Sequence, residues 1–215
     1  MANVPIGFVV EGHGEFHCYP SLFCKAVNAS GINVPRVNAQ GCGSIVKRLP
    51  EHLSDLCIAH QPLKIIVTVD LQDVLDQGLS ESCADLVSKL NILANDWLEQ
   101  AANDSRITTL PTSIVAVVQI LKFETWLISD TQGLKNSGLV NEAVDNVEQP
   151  EQVANPSTWI KDNLNISGSV KSPRVAKCVT SALAPDRMRQ FCPSFDKFYR
   201  ECVEGYQLWL DTEGT

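Results

Sequence analysis

The chain has 215 residues, of which 44% are apolar and 20% charged, and its formal net charge is −8. That length and apolar content can fill a core of one large domain or of a domain with an appendage, which excludes a disordered chain. The longest apolar runs are strand-sized and the first five residues lack the basic start of a signal peptide, so the reading is a soluble, unexported, cytoplasmic protein with no membrane association.

Ile6 to Val10 forms the first strand-like apolar run. It ends on Glu11, followed by Gly12-His13-Gly14 and a second acid, Glu15. Glycines after a strand invite a dinucleotide-binding reading, but position 17 is His17 rather than a third glycine, and no acid follows the second strand to hold a ribose. The glycines instead permit the turn that presents the two acids. Glu15 in a first helical turn would also favour the helix dipole without any metal; that explanation leaves Glu11 unaccounted for. His13 and His17 match no zinc spacing and are given peripheral roles.

Phe16 to Ala29 carries apolar residues at helical spacing and predicts a helix, and Ile32 to Val37 predicts a second strand. A helix follows over Ser44 to Ala59, with a kink or fresh start at Pro50. Leu63 to Val69 is the most apolar strand, β-branched and read as buried on both faces. It delivers Asp70 and Asp73, while Asp76 either reaches the same place or solvates the loop before Gly78. Leu79 to Ala102 predicts a long amphipathic helix, and Ser113 to Leu121 a fourth strand leading into Lys122-Phe123-Glu124-Thr125-Trp126. Strand and helix therefore alternate, which predicts an α/β layer fold with a mainly parallel four-stranded sheet flanked by helices.

Beyond residue 130 the strand signal fades. Asp130 to Gly168 reads as a loop-and-helix insertion, followed by helices over Ser172 to Leu183 and Ser194 to Leu210. The expected division is residues 1–130 as a metal-binding domain and 131–215 as an insertion with a helical extension packed on it.

Eight cysteines occur with no C-x-x-C pair, and most fall in apolar-periodic stretches, as expected of buried free thiols in a reducing compartment. Residues 161–200 hold eight basic groups against three acids, a local excess of +5 that leaves −13 for the rest of the chain. Such a segment suits phosphate contacts, although each residue taken singly reads equally well as a solvated helix face.

Three strand ends that each carry an acid imply negative charge gathered at one sheet edge, which costs free energy unless a cation sits there. Hard oxygen ligands without a cysteine pair favour Mg²⁺ or Mn²⁺. In their order, Glu11 with Glu15, Asp70 with Asp73, and Phe123-Glu124-Thr125-Trp126 resemble the TOPRIM fold, specifically the domain-of-unknown-function branch that bacteria encode beside AAA-type ATPases. That branch is similar to the nuclease half of the OLD (overcoming lysogenization defect) family. The resemblance covers residues 5 to 130, and more loosely 171 to 198. It implies a metal-dependent nuclease, with Glu11, Glu15, Asp70, Asp73 and Glu124 as metal or acid-base residues and Lys171 or Lys177 as the cation near the reacting oxygen. It further implies nucleic acid, chiefly DNA, as substrate, an AAA-type ATPase as partner and a role in anti-phage defence, and it leaves room for a homo-oligomer. One departure stands out. The usual D-x-D is here Asp70-Leu71-Gln72-Asp73, with Gln72 where the second aspartate belongs. Either the turn bulges so that Asp73 serves, or the site lacks a ligand and the chain is a non-catalytic, nucleic-acid-binding subunit. A phosphotransfer enzyme on a small substrate is the third reading.

Overall fold

A computed structural model describes residues 4–213. Four strands, β1 (Val4–Val10), β2 (Arg36–Asn38), β3 (Pro62–Asp70) and β4 (Ser113–Gln119), form one sheet in the order β2-β1-β3-β4, and every pairing is parallel. The helices are α1 (His13–Ala26), α2 (Cys42–His60), α3 (Leu71–Asp76), α4 (Cys83–Ala101), α5 (Glu124–Ile128), α6 (Thr131–Asn136), α7 (Pro156–Asn163), α8 (Pro173–Ala182), α9 (Pro185–Phe191) and α10 (Pro193–Glu213). This is the expected mixed α/β architecture, Rossmann-like and parallel throughout. From β1 the chain steps outward to β2, then returns across β1 to β3 and on to β4. The carboxyl ends of β1 and β3 therefore flank the point where the winding reverses, the place where open α/β sheets hold their ligands.

Side chains alternate along each strand, so the sheet builds two cores. Phe8, Val10, Ile66 and Val117 face α1 and the C-terminal helices. Val9, Ile65, Val67 and Val118 face α2 and α4. An aromatic cluster fills the first core: Tyr19 and Trp126 lie 4.9 and 5.0 Å from Phe198, centroid to centroid, and Phe8 stacks on the same ring at 5.7 Å. Such contacts add to the area that aromatic rings already bury. Phe195, Phe198 and Cys202 of α10 belong to this cluster, so the last helix covers the sheet directly. Lys64, 1% exposed in the middle of β3, reaches Glu201 at 2.6 Å and Glu204 at 2.9 Å on that helix.

Several boundaries differ from the sequence expectation for physical reasons. β2 begins only at Arg36, because Pro35 has no N–H to give to a ladder; its carbonyl still accepts the Phe8 N–H at 3.0 Å. The break in α2 falls at Arg48 (φ −130°, ψ 21°), two residues before Pro50, since a proline disturbs the turn that precedes it. α4 starts at Cys83 rather than Leu79, capped by Ser82, whose side chain accepts the Asp85 N–H. Within the loop-rich stretch, Asp130 anchors the chain: its carboxylate accepts the N–H groups of Gly133 and Ala184 at 2.9 and 2.7 Å and both guanidinium donors of Arg187. All eight cysteines are unpaired. Among the described residues no helix is long and apolar enough to cross a membrane.

Candidate metal centre

Glu11 follows β1 directly, and its position is fixed twice. Its Oε2 accepts the Asp70 N–H at 3.0 Å, tying the end of β1 to the end of β3. Its main-chain carbonyl accepts the N–H of Gly41 at 2.8 Å. Gly41 sits at φ +121°, a conformation that glycine tolerates and other residues rarely adopt. Asp70 is the last residue of β3 and also the residue that opens α3, so the chain turns helical immediately after it. Three residues on, in the first turn of α3, Asp73 returns to the same side. Glu11, Asp70 and Asp73 each place a ligand atom within 4.8 Å of the other two, a cluster that could hold a metal ion.

The helical turn decides which of residues 72 and 73 faces Asp70. In an extended turn residues 70 and 72 would share a side; in a helix residues 70 and 73 do. Gln72 points elsewhere and donates through Nε2 to Asp76 Oδ1 at 2.7 Å.

Glu15, in the first turn of α1, is only 5% exposed. The two glycines before it make room: a Cβ on Gly12 would lie 3.3 Å from Glu15 Oε2, and one on Gly14 would lie 3.1 Å from the Phe123 ring. Phe123 is buried, and Glu124 opens α5 beside it. Glu11, Glu15, Asp70, Asp73 and Glu124 all line one cleft of about 530 Å³, with Lys122 and Lys171 on its wall. Lys177, on α8, is exposed and does not line this cleft. His13 is at the rim, where its Nδ1 accepts from the Asn38 amide at 3.3 Å, and His17 stacks on it.

The charges oppose one another. Burial pushes Asp70 well above the usual carboxylate range, and the neighbouring carboxylates of Glu15, Glu11, Glu124 and Asp73 push it further. Burial, with Glu11 and Glu124 beside it, raises Glu15 from 4.5 to about 7, against a lowering pull from Lys171. Glu11 is raised chiefly by burial, less the effect of the N–H it accepts from Asp70. Asp70 Oδ1 is buried without any hydrogen-bond partner. Buried polar atoms are rarely left so, and an oxygen-only donor set with an orphaned carboxylate oxygen fits a hard divalent cation.

Lys122 escaped the sequence reading. Its ammonium meets Asp73 at 2.7 Å, and its own pKa is raised mainly by that bond. The available signal was its position between β4 and Phe123, at a strand end that already supplied one candidate. Asn38, Gln40 and Gly41 also line the cleft from the end of β2. They were passed over because that strand end carries no acid.

A family model described as a domain of unknown function, DUF4276, matches residues 10–201. No curated protein and no solved structure matches the chain.

Proposed function

We propose that this chain, which belongs to the DUF4276 family, is a metal-dependent phosphodiesterase acting on nucleic acid, of the TOPRIM kind that its order of motifs resembles. The observation that carries the reading is the meeting of Glu11, Asp70 and Asp73 within 4.8 Å of one another, at the reversal point of a parallel sheet. Mg²⁺ or Mn²⁺ suits these oxygen donors, and such an ion, when bound, supplies positive charge to a phosphate oxygen and makes water a nucleophile at neutral pH.

The remaining roles belong to the chain's own groups. Glu11, Asp70 and Asp73 would hold the ion, and Lys122, 2.7 Å from Asp73, would help hold that side chain in place. Glu15, pushed up to about 7, can hold or release a proton near neutrality, which suits a group that exchanges protons with water or with a leaving oxygen. Glu124 lines the same cleft and offers a further carboxylate there. Lys171, on the cleft wall, offers charge to a phosphate. Gln72 was the ground for a non-catalytic subunit; that Asp73 rather than Gln72 joins Glu11 and Asp70 in the acid cluster supports the catalytic reading over it. The ATPase partner and the role in anti-phage defence that the resemblance implies belong to the same proposal; co-purification of the two chains reads the first.

The test is cleavage of plasmid and of single-stranded DNA in EDTA, Mg²⁺ and Mn²⁺, with melting temperature followed in the same buffers. The expected outcome is cleavage only with a divalent ion, a metal-dependent rise in melting temperature, and loss of both in Asp70→Ala. Cleavage that persists in Asp70→Ala, or that needs no metal, overturns the assignment.

A further inference from the structure

Four of the eight basic groups of residues 161–200 are engaged by other groups of the protein. Arg187 binds Asp130, Arg189 and Arg200 bind Asp196, and Lys197 donates to the Ala116 carbonyl. Of the remaining four, Arg174 and Lys177 lie elsewhere, whereas Lys161 and Lys171 line a cavity. Both are exposed, neither makes a salt bridge among the described residues, and both stand at the mouth of a second cavity of about 390 Å³. This cavity lies between α7 and residues 166–171 and shares Glu124, Ser157 and Lys171 with the acid cleft. Four aliphatic side chains line it, Ile160 of α7 and Leu164 just beyond it with Ile166 and Val170 from the segment opposite, beside the hydroxyls of Ser157 and Ser169. A slot with aliphatic walls and two ammonium groups outside any salt bridge thus stands beside the cluster of carboxylates, with Glu124, Ser157 and Lys171 as shared walls.

We infer that the slot receives an unpaired nucleobase, so that the phosphate lying at the acids belongs to a single strand, a frayed end or an extruded nucleotide. A duplex keeps its bases stacked inward with its phosphates outermost, and cannot fill an apolar pocket beside a phosphate-binding cleft unless a base leaves the stack. Aliphatic walls accept any base face, so the slot selects for an unpaired state rather than for a sequence. Lys161 and Lys171 hold the phosphates on either side of the seated nucleotide, contacts that position without reading sequence. The inference rests on the nucleic-acid reading of the preceding section.

The test compares three labelled oligonucleotides by fluorescence anisotropy in Ca²⁺: a single strand, the blunt duplex of the same sequence, and the same strand with abasic sugars throughout. The single strand should bind about tenfold or more tightly than either of the others, the order expected from seating one base. Ile166→Trp, which fills the slot, should erase the preference while the Mn²⁺-induced rise in melting temperature survives. Lys161→Ala should weaken single-strand binding and lower its salt slope by about one. Equal affinity for single strand and duplex, or for natural and abasic strands, overturns this inference alone, as does a preference that persists in Ile166→Trp. Failure to bind any of the three, with Mn²⁺ still stabilising the protein, overturns the nucleic-acid reading itself.

Discussion

Without metal, the cleft holds carboxyl groups whose ionisation the fold opposes, and Glu15 gives the cleanest measure of it. Its pKa rises from 4.5 to about 7. At 1.36 kcal/mol per unit, that difference amounts to about 3 kcal/mol between protonated and ionised forms. The folded state keeps a proton that the unfolded chain releases, so the stability tied to Glu15 is fully present below its ordinary value and is lost as pH rises through about 7. Glu11 and Asp70, both raised, shift stability in the same direction. His17 and His52, both lowered by burial, shift it in the opposite one. The informative quantity is therefore the difference between wild type and Glu15→Gln, in which the other groups largely cancel. A domain of this size moves about 2–4 °C in melting temperature per kcal/mol. In EDTA the variant should gain about 5–10 °C on the wild type between pH 5 and pH 8. Differential scanning fluorimetry across that range reads it directly. Saturating Mn²⁺ should narrow the wild type's loss, because binding favours the ionised cluster and strengthens as protons leave. Melting curves of the two proteins that run parallel across the range in EDTA refute the reasoning, since Glu15 would then not be held protonated by its surroundings.

Asp73→Asn should weaken Mn²⁺ affinity at least about tenfold in a melting-temperature titration, whereas Gln72→Ala should leave it unchanged; the reverse pattern would return the ligand role to residue 72. Lys64→Met leaves Glu201 facing an apolar neighbour and should cost about 3 kcal/mol in urea unfolding, at the low end for a buried pair because Glu204 is well exposed. Asp130→Ala strands two buried N–H groups and Arg187, and should likewise cost about 3 kcal/mol by the same assay.

Glu11, Asp70 and Glu124 were legible in the sequence because each is a local signal, an acid standing where an apolar run stops. Asp73 was not. Its place depends on whether the chain after Asp70 stays extended or turns helical at once, and the residues allow both. Lys122 was hidden for another reason: its partner Asp73 lies on a different strand's exit, and only the β3–β4 pairing brings the two exits together. The short helices α3, α5, α6 and α9 span five to seven residues, too few turns for an apolar period to register. The periodicity of the last helix did place Phe195, Phe198 and Cys202 on one face; which face of the sheet they cover is a matter of topology that no window of sequence contains.

The acids and the C-terminal helices are linked through the cost of burying charge. Asp70 and Glu15 are raised first of all by burial, and the material that buries them comes from both parts of the chain. Tyr19, on α1 one turn beyond Glu15, packs between Phe123 and Phe198 and so ties the acid-bearing helix to α10. Ser157 and Lys171, from the later part of the chain, close the cleft that the strand ends open. An acid cluster on an exposed sheet edge would be solvated and would ask little of a cation. Enclosed as these are, with one carboxylate oxygen lacking any partner, the acids either keep protons or share a cation, and the cluster of Glu11, Asp70 and Asp73 could hold one. The later part of the chain, through α10 behind Tyr19 and through Ser157 and Lys171 on the cleft wall, thus adds to the enclosure of acids whose ionisation burial opposes.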